Sequence, residues 1–224
     1  AMSGNADWRK ATSGLGKIYN IEAITFKNHG CCGHTFAAID GLLFIMQDAQ
    51  ITADGIANIA IATYGPAVSI TDRADPKTPQ ECKFSMQYVL AHAAHYGSVR
   101  IEAFEAERMS DPAIQAMLGQ IDLSIDPAVD AEFPARRAAH VTITTKDGRQ
   151  LTHYQPTRKG DPDLPLTDDE LDAKFIELAN PVLGNELTNS LLQKLWQLDE
   201  ISLATALDLA VLQSDRTASE NLPN

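Results

Sequence analysis

The sequence feature that most constrains the fold is the dipeptide Asp147-Gly148. It separates residues 141–144 from residues 150–154, two segments in which apolar or β-branched side chains alternate with polar ones. An Asp-Gly dipeptide between two such segments is a strong hairpin signal, so this stretch predicts an antiparallel β-hairpin. A hairpin departs from the regular alternation of strand and crossover helix that builds a doubly wound parallel sheet.

Segments with helical and strand periodicity precede this hairpin. Apolar residues recur at helical spacing in residues 34–48 and 84–96, and Ser110-Asp111-Pro112 is typical of a further helix start. Strands are predicted at residues 21–26, 56–64, 121–125 and 140–145, and a long surface loop at residues 69–81. We therefore expect an α+β domain over residues 21–160, preceded by a leader or loop at residues 1–20.

The pattern changes after residue 160. A Pro-rich, acidic linker leads to Thr167, and Glu170 stands three residues later, which is the spacing of a helical capping box. Helices are predicted at residues 171–179, 186–198 and 203–212 of a helical tail that spans residues 161–214, with a frayed terminus at 215–224. The tail carries more apolar residues than it could bury against the α+β part alone, so we expect it to pack on a larger helical domain.

Charge and cysteine content exclude several classes of function. The formal net charge is −12, which argues against binding to nucleic acid or to an anionic membrane surface. No apolar run approaches the ~20 residues of a membrane-spanning helix. Three cysteines, two of them adjacent, do not make a disulfide framework, so a reducing cytoplasmic location is expected.

The densest group of reactive side chains is Lys27-Asn-His-Gly-Cys-Cys-Gly-His34-Thr, which lies between a predicted strand and a predicted helix. Three functions compete with a purely structural role: a metal site, a nucleophilic cysteine at a helix start, and an anion-binding acid/base loop that uses Lys27 and His34. A metal is disfavoured because adjacent cysteines point in divergent directions and no second Cys/His pair follows at a suitable spacing. No nucleotide or flavin motif is present, so no cofactor is expected.

Five segments, taken in order, resemble the MmgE/PrpD family. They are K-x-x-x-C-C-x-x-T-x-x-A-I-D from Lys27 to Asp40, Cys82-Lys-Phe-Ser-Met-Gln-Tyr88, Asp111-Pro-Ala-Ile, Thr144-Thr-Lys-Asp-Gly, and Pro165-Leu-Thr-Asp-Asp-Glu-Leu-Asp-Ala-Lys-Phe175. The resemblance runs from about residue 20 to residue 190. It implies a chain about twice this long, in which an all-helical domain comes first, a small lid-like α+β domain follows, and the last helices return to the helical domain.

The resemblance also implies roles for four residues. Lys27 matches the loop lysine that meets substrate carboxylates. His34 lies in the loop where members carry a histidine, although many place it where this sequence has Phe36. Tyr64 matches an active-site tyrosine at the end of the second strand, and Lys83 begins a helix that faces the cleft. His34 and Tyr64 are thus the catalytic candidates, and Lys27 and Lys83 the substrate-binding candidates.

The resemblance implies that the chain is part of an enzyme, with a lyase of the 2-methylcitrate dehydratase type, active in propionate catabolism, as the expected function. Members of the family also include a cis-aconitate decarboxylase and an iminodisuccinate epimerase, and the sequence leaves these two activities open. It would act on a small polycarboxylic acid by proton transfer alpha to a carboxylate, without metal or cofactor. This half alone is expected to be inactive, with a helical half-domain in cis or trans and a second copy in a homodimer as partners. The alternative is a non-catalytic docking domain from a split or truncated gene.

Overall fold

The computed structural model describes residues 7–200, which divide into two compact units at Leu166/Thr167. The described residues form nine α-helices and four β-strands, joined by short 3₁₀ turns. The helices are α1 Phe36–Asp48, α2 Gly65–Thr71, α3 Pro79–Lys83, α4 Met86–Tyr96, α5 Ala106–Met109, α6 Pro112–Leu118, α7 Pro127–Glu132, α8 Asp168–Leu183 and α9 Asn185–Trp196. The strands are β1 Ile56–Thr63, β2 Ile121–Ile125, β3 Ala139–Thr145 and β4 Gln150–Gln155.

The four strands form one mixed sheet in the order β2-β1-β3-β4. β1 runs parallel to β2 and antiparallel to β3, and β3 pairs with β4 in the predicted hairpin. Gly148 has a φ of 88° at the turn, a value that L side chains rarely adopt. The α+β prediction is therefore confirmed.

The core lies on one face of this sheet. Along β1 and β3 the buried side chains alternate with more exposed ones, and Ile59, Ile61, Val141 and Ile143 are almost completely buried. Helix α1 packs on β3 and β4, and α4 packs against α1 and α6. This arrangement buries the apolar sides of these strands and helices, which is the main stabilising contribution in a domain of this size.

Side chains at the helix starts account for several helix boundaries. The carboxylate of Asp111 accepts a hydrogen bond from the backbone of Ala113, as the Asp-Pro sequence predicts. In the second unit, Thr167 and Glu170 form the predicted capping box at the start of α8. Each such cap contributes roughly 1 kcal/mol to helix stability.

Two predicted segments differ in the structure. The strand prediction for residues 21–26 is wrong: a 3₁₀ turn spans Asn20–Ala23, and the extended chain that follows donates from the backbone of Phe26 to the carbonyl of Gly160, at 2.9 Å, instead of joining the sheet. The alternating pattern is present, but within residues 7–200 no strand pairs with this segment. The loop prediction for residues 69–81 is wrong in part, because α2 extends to Thr71 and α3 begins at Pro79.

Proline explains the second difference. The polar, proline-containing sequence of residues 69–81 favours a loop, but proline is also favoured in the first turn of a helix, where its missing N–H costs nothing. Pro66 and Pro79 both occupy that position. The helix predicted at residues 203–212 and the terminus at 215–224 lie outside the described residues.

The second unit, as far as it is described, is a pair of packed helices, α8 and α9. Asp172 on α8 accepts a hydrogen bond from the indole of Trp196 on α9, at 2.6 Å. Large apolar side chains such as Val182 and Trp196 remain exposed in it. Across residues 7–200, no helix combines the length and the apolar character that a membrane span requires.

Candidate active site

The loop from Lys27 to Thr35 is held in place by backbone hydrogen bonds. The N–H of Gly30 donates to the carbonyl of Val99, at 2.8 Å, and the N–H of Cys32 donates to the carbonyl of Lys83, at 2.9 Å. Thr35, the residue before α1, closes the loop by donating from its hydroxyl to the carbonyl of Cys32. The loop is thus anchored on the segments that flank α4, and it enters α1 in a defined direction.

This loop brings His34 to Tyr64. The His34 Nδ1 and Tyr64 Oη atoms are 2.8 Å apart, a hydrogen-bond distance, although the residues are separated by 30 positions. Tyr64 follows the last residue of β1 and is buried, and Phe133 stacks on its ring with 4.7 Å between centroids. The structure therefore places the two predicted catalytic residues in direct contact.

The surroundings keep both groups uncharged at neutral pH. Burial lowers the pKa of His34 below its ordinary 6.5, and the guanidinium groups of Arg137 and Arg158 lower it further. Burial also raises the pKa of Tyr64 to about 12, against the opposing effect of the same two arginines. A neutral imidazole can accept a proton, and a neutral phenol can donate or accept the hydrogen bond to it.

A cleft of about 410 Å³ lies against this loop. Its lining includes Lys27, Cys32, His34, Arg137 and Arg158. Three of these side chains are cationic, and none of the described residues that line the cleft is a carboxylate. A cleft of this composition favours an anionic ligand, although the protein as a whole is acidic.

Arg158 lines this cleft and makes several hydrogen bonds that hold the cleft wall together. Its guanidinium makes a bidentate pair with Asp161, at 2.6 and 2.9 Å, and also donates to the Thr25 hydroxyl at 3.1 Å and to the Gly33 carbonyl at 3.4 Å. Burial alone would raise the pKa of Asp161, but the hydrogen bonds from Arg158 and Thr25 outweigh it, so the pKa lies below its ordinary value. Arg158 thereby ties the chain around residue 160 to the loop that carries His34.

Lys27 and Lys83 occupy different environments. Lys27 lines the cleft and donates from Nζ to the carbonyl of Cys31, at 3.4 Å. The ammonium group of Lys83 lies 5.3 Å from the ring centroid of Phe104, and Lys83 is not part of the cleft lining. The structure thus brings three of the four predicted site residues, Lys27, His34 and Tyr64, to one place, whereas the Lys83 side chain does not line the cleft. The prediction that Lys83 begins a helix is wrong: it is the last residue of α3, and the next helix begins at Met86 after the cap Ser85.

Cys31 does not have the features of an activated nucleophile, and the loop does not have those of a metal site. Burial raises the pKa of the Cys31 thiol to about 12, and its sulfur contacts the hydroxyl of Thr35 at 3.2 Å. The Nε2 atom of His29 lies 3.2 Å from a carboxylate oxygen of Asp40 on α1, so this histidine is used within the fold. Among residues 7–200, no three His, Cys, Asp or Glu side chains are grouped as metal ligands.

Arg137 and Arg158 were not predicted from the sequence. Arg137 is the second residue of an Arg-Arg pair between α7 and β3, and Arg158 follows β4. Neither segment carries a motif, and an isolated arginine in a loop is usually a solvated surface residue. The Arg136-Arg137 pair is visible in the sequence, but the pair does not show that the Arg137 side chain lies in the cleft.

Comparison with known families decides the affiliation. Residues 29–198 match the MmgE/PrpD C-terminal domain. The chain belongs to the MmgE/PrpD family. This confirms the resemblance found in the five sequence segments, including the assignment to the carboxyl-terminal part of the family.

Individual MmgE/PrpD relatives are similar at moderate identity. Cis-aconitate decarboxylase from Mus musculus is 28% identical over 174 residues, which cover 76% of this chain and 35% of the relative. The human cis-aconitate decarboxylase is 25% identical over 166 residues, covering 73% of this chain and 34% of the relative. A 2-methylcitrate dehydratase from Cupriavidus necator is 31% identical over 105 residues, covering 45% of this chain and 22% of the relative. The chain spans about a third of the length of the decarboxylases that it matches.

Proposed function

We propose that this chain forms part of an MmgE/PrpD-type lyase that acts on a small di- or tricarboxylic acid by moving a proton at the carbon alpha to a carboxylate. The main support is the hydrogen-bonded pair of His34 and Tyr64 beside a cationic cleft. The names of the relatives point the same way, since one is a decarboxylase of cis-aconitate and another a dehydratase of 2-methylcitrate. A dehydratase of the 2-methylcitrate type, working in propionate catabolism, remains our specific proposal.

The chemistry fits the residues at the cleft. Dehydration removes a carbon-bound proton and a hydroxyl group as water, decarboxylation replaces CO₂ by a proton, and epimerisation removes a proton and returns it to the other face. In each case negative charge develops next to a carboxylate, and a general acid or base must exchange the proton. We assign proton exchange to the neutral imidazole of His34, with Tyr64 as its hydrogen-bond partner.

Cationic groups then have two tasks, to bind substrate carboxylates and to stabilise the developing enolate charge. We assign carboxylate binding to Lys27, which lines the cleft together with His34. The role predicted for Lys83 stays a prediction, and its position over Phe104 makes a direct contact with the same ligand a weaker expectation.

A helical half-domain, supplied in cis or in trans, is the proposed partner. Residues 8–26 expose several large apolar side chains, among them Trp8 at 81% and Leu15 at 80%. Apolar surface of this extent favours contact with another polypeptide. The chain alone is then expected to be inactive, and the assembled enzyme to be a cytoplasmic homodimer.

The test is an activity panel with 2-methylcitrate, citrate, cis-aconitate and iminodisuccinate. The chain is assayed alone and with the helical domain of a family member added. Turnover only in the presence of the helical domain would support the half-enzyme proposal and identify the substrate. No turnover in either condition, with a folded chain, would favour the alternative of a non-catalytic docking domain.

Lys27→Ala is the sharpest variant within this panel. We expect KM to rise by about tenfold or more, because a charge-assisted hydrogen bond to a carboxylate contributes roughly 1.5–3 kcal/mol. Lys77→Ala is the matched control, since Lys77 is an exposed lysine that pairs with Asp75. Unchanged KM and kcat in the Lys27 variant would remove Lys27 from the site.

A further inference from the structure

Arg137 is a cationic residue of the cleft that lies outside the proposed set of Lys27, His34 and Tyr64. It is half-buried in the segment between α7 and β3. It lines the 410 Å³ cleft beside His34 and also a second cleft of about 360 Å³, and Arg158 lines both as well. Both arginines thus line both clefts, so their hydrogen bonds can be compared directly.

Their bonding differs completely. Arg158 donates to Asp161, Thr25 and Gly33. Arg137, in contrast, has no hydrogen bond or ion pair with any residue between 7 and 200, the part of the chain that the structure describes. Its neighbour Arg136 is exposed and pairs with Glu132 at 3.8 Å.

The two carboxylates that line the smaller cleft with Arg137 are already engaged. Asp161 and Asp163 line the smaller cleft with Arg137. Asp161 accepts from Arg158, and Asp163 accepts from the hydroxyl of Thr157 at 2.8 Å. None of the guanidinium nitrogens of Arg137 is buried without a partner, so its N–H donors are open to solvent and to a ligand that enters the cleft. A carboxylate from outside the chain can therefore accept hydrogen bonds from them.

We propose that Arg137 binds a substrate carboxylate other than the one bound by Lys27, and that it selects acids with more than one carboxylate. This inference rests on the proposed function, because Lys27 and Arg137 line the same cleft with His34. The planar guanidinium matches a carboxylate with two parallel hydrogen bonds, which gives orientation as well as affinity. A substrate held at two carboxylates would have its alpha carbon fixed relative to the imidazole, as efficient proton transfer requires.

Binding of propane-1,2,3-tricarboxylate to this chain, measured by calorimetry, tests the inference without any turnover. Butyrate serves as the monocarboxylate comparison. We expect Arg137→Ala to weaken tricarboxylate binding at least tenfold, which corresponds to about 1.4 kcal/mol. Arg137→Lys should recover only part of this loss, since it keeps the charge but not the two-pronged geometry. Arg149→Ala removes the same charge from the exposed β3–β4 turn and should leave binding unchanged.

Several results would overturn the inference. One is equal tricarboxylate affinity in the wild type and in Arg137→Ala, and another is an equal loss in Arg149→Ala. Absence of tricarboxylate binding by the wild-type chain would also count against it. If Arg137→Ala fails to fold, the Arg137→Lys variant provides the test. Tricarboxylate affinity equal to that of the wild type, together with an unchanged preference for the tricarboxylate over butyrate, would contradict a two-pronged contact.

The outcome is separable from that of the activity panel. Arg137-dependent binding without turnover on any substrate would retain the carboxylate site and reject the proposed lyase activity. Turnover with an unchanged KM in Arg137→Ala would retain the lyase activity and reject the role of Arg137.

Discussion

Replacement of Arg158 by methionine tests how the active-site loop is held. The arginine side chain is 10% exposed and its partner Asp161 is 14% exposed, so the pair is largely withdrawn from water. The substitution keeps most of the side-chain volume but removes the bonds to Asp161, Thr25 and Gly33. It leaves the Asp161 carboxylate in a partly buried site without its counter-charge.

The size of the effect follows from that burial. Loss of one partner from a buried ion pair costs about 3–5 kcal/mol, because the remaining charge is uncompensated. The hydroxyl of Thr25 lies 2.5 Å from Asp161 and continues to donate, and the hydroxyl of Thr157 adds a weaker contact at 3.4 Å. We therefore expect the lower end of the range, about 3 kcal/mol. The double variant Arg158→Met/Asp161→Leu should lose less than Arg158→Met alone, because no buried charge remains.

Native-state hydrogen exchange of the amides in the β1–β3 ladder is the appropriate assay, since it reports the unfolding free energy of the unit that contains the sheet. Arg149→Met is the control: its pair with Asp147 is exposed, and such pairs contribute about 0–1 kcal/mol. A loss below about 1 kcal/mol in Arg158→Met, or a loss equal to that of the control, would refute this reasoning.

Three further predictions concern single sites. Gly160→Ala should destabilise the chain by at least about 1–2 kcal/mol, because Gly160 has a φ of 100° and an added Cβ would lie 2.1 Å from the carbonyl oxygen of Phe26; an unchanged thermal midpoint would contradict this. His34 should titrate below 6.5 by NMR, because burial and the neighbouring guanidinium groups lower its pKa. The unfolded chain therefore binds a proton at this histidine at a higher pH than the folded chain does, so the stability of the fold should decrease on acidification below pH 6.5. An NMR titration midpoint of His34 at or above 6.5 would be inconsistent with this prediction. Cys31 should resist alkylation in the folded chain at mildly alkaline pH, because burial raises its pKa to about 12 and only the thiolate reacts; rapid labelling seen by mass spectrometry would disprove it.

Sequence patterns correctly predicted those elements that depend on residues close together in the chain. The helix at residues 84–96 was predicted from apolar spacing and is observed as Met86–Tyr96. The hairpin was predicted from Asp147-Gly148 and is observed as β3 and β4. The strand prediction for residues 21–26 was wrong because an alternating pattern describes only the side chains of a strand. It does not supply the neighbouring strand with which the segment must pair.

The candidate site was only partly accessible from the sequence. The resemblance to a family pointed to Lys27, His34, Tyr64 and Lys83. The first three lie at or beside one cleft in the structure, whereas the Lys83 side chain does not line it. Arg137 and Arg158 have no sequence signature, although both lower the pKa of His34. The electrostatic effect of a guanidinium depends on its distance through space and on the exclusion of water, and a linear sequence records neither.

The sequence by itself determined the local structure: the positive φ at Gly148, the cap at Thr167, and which faces of the strands and helices are apolar. These features arise from interactions between residues a few positions apart, so a short segment contains all the information. Only the tertiary structure decided which distant groups meet, because the strand order β2-β1-β3-β4 and the anchoring of the loops set those distances. His34 reaches Tyr64 across 30 positions, and Arg158 reaches the His34 loop across 125, through contacts that form only when the sheet and its helices bury a common core.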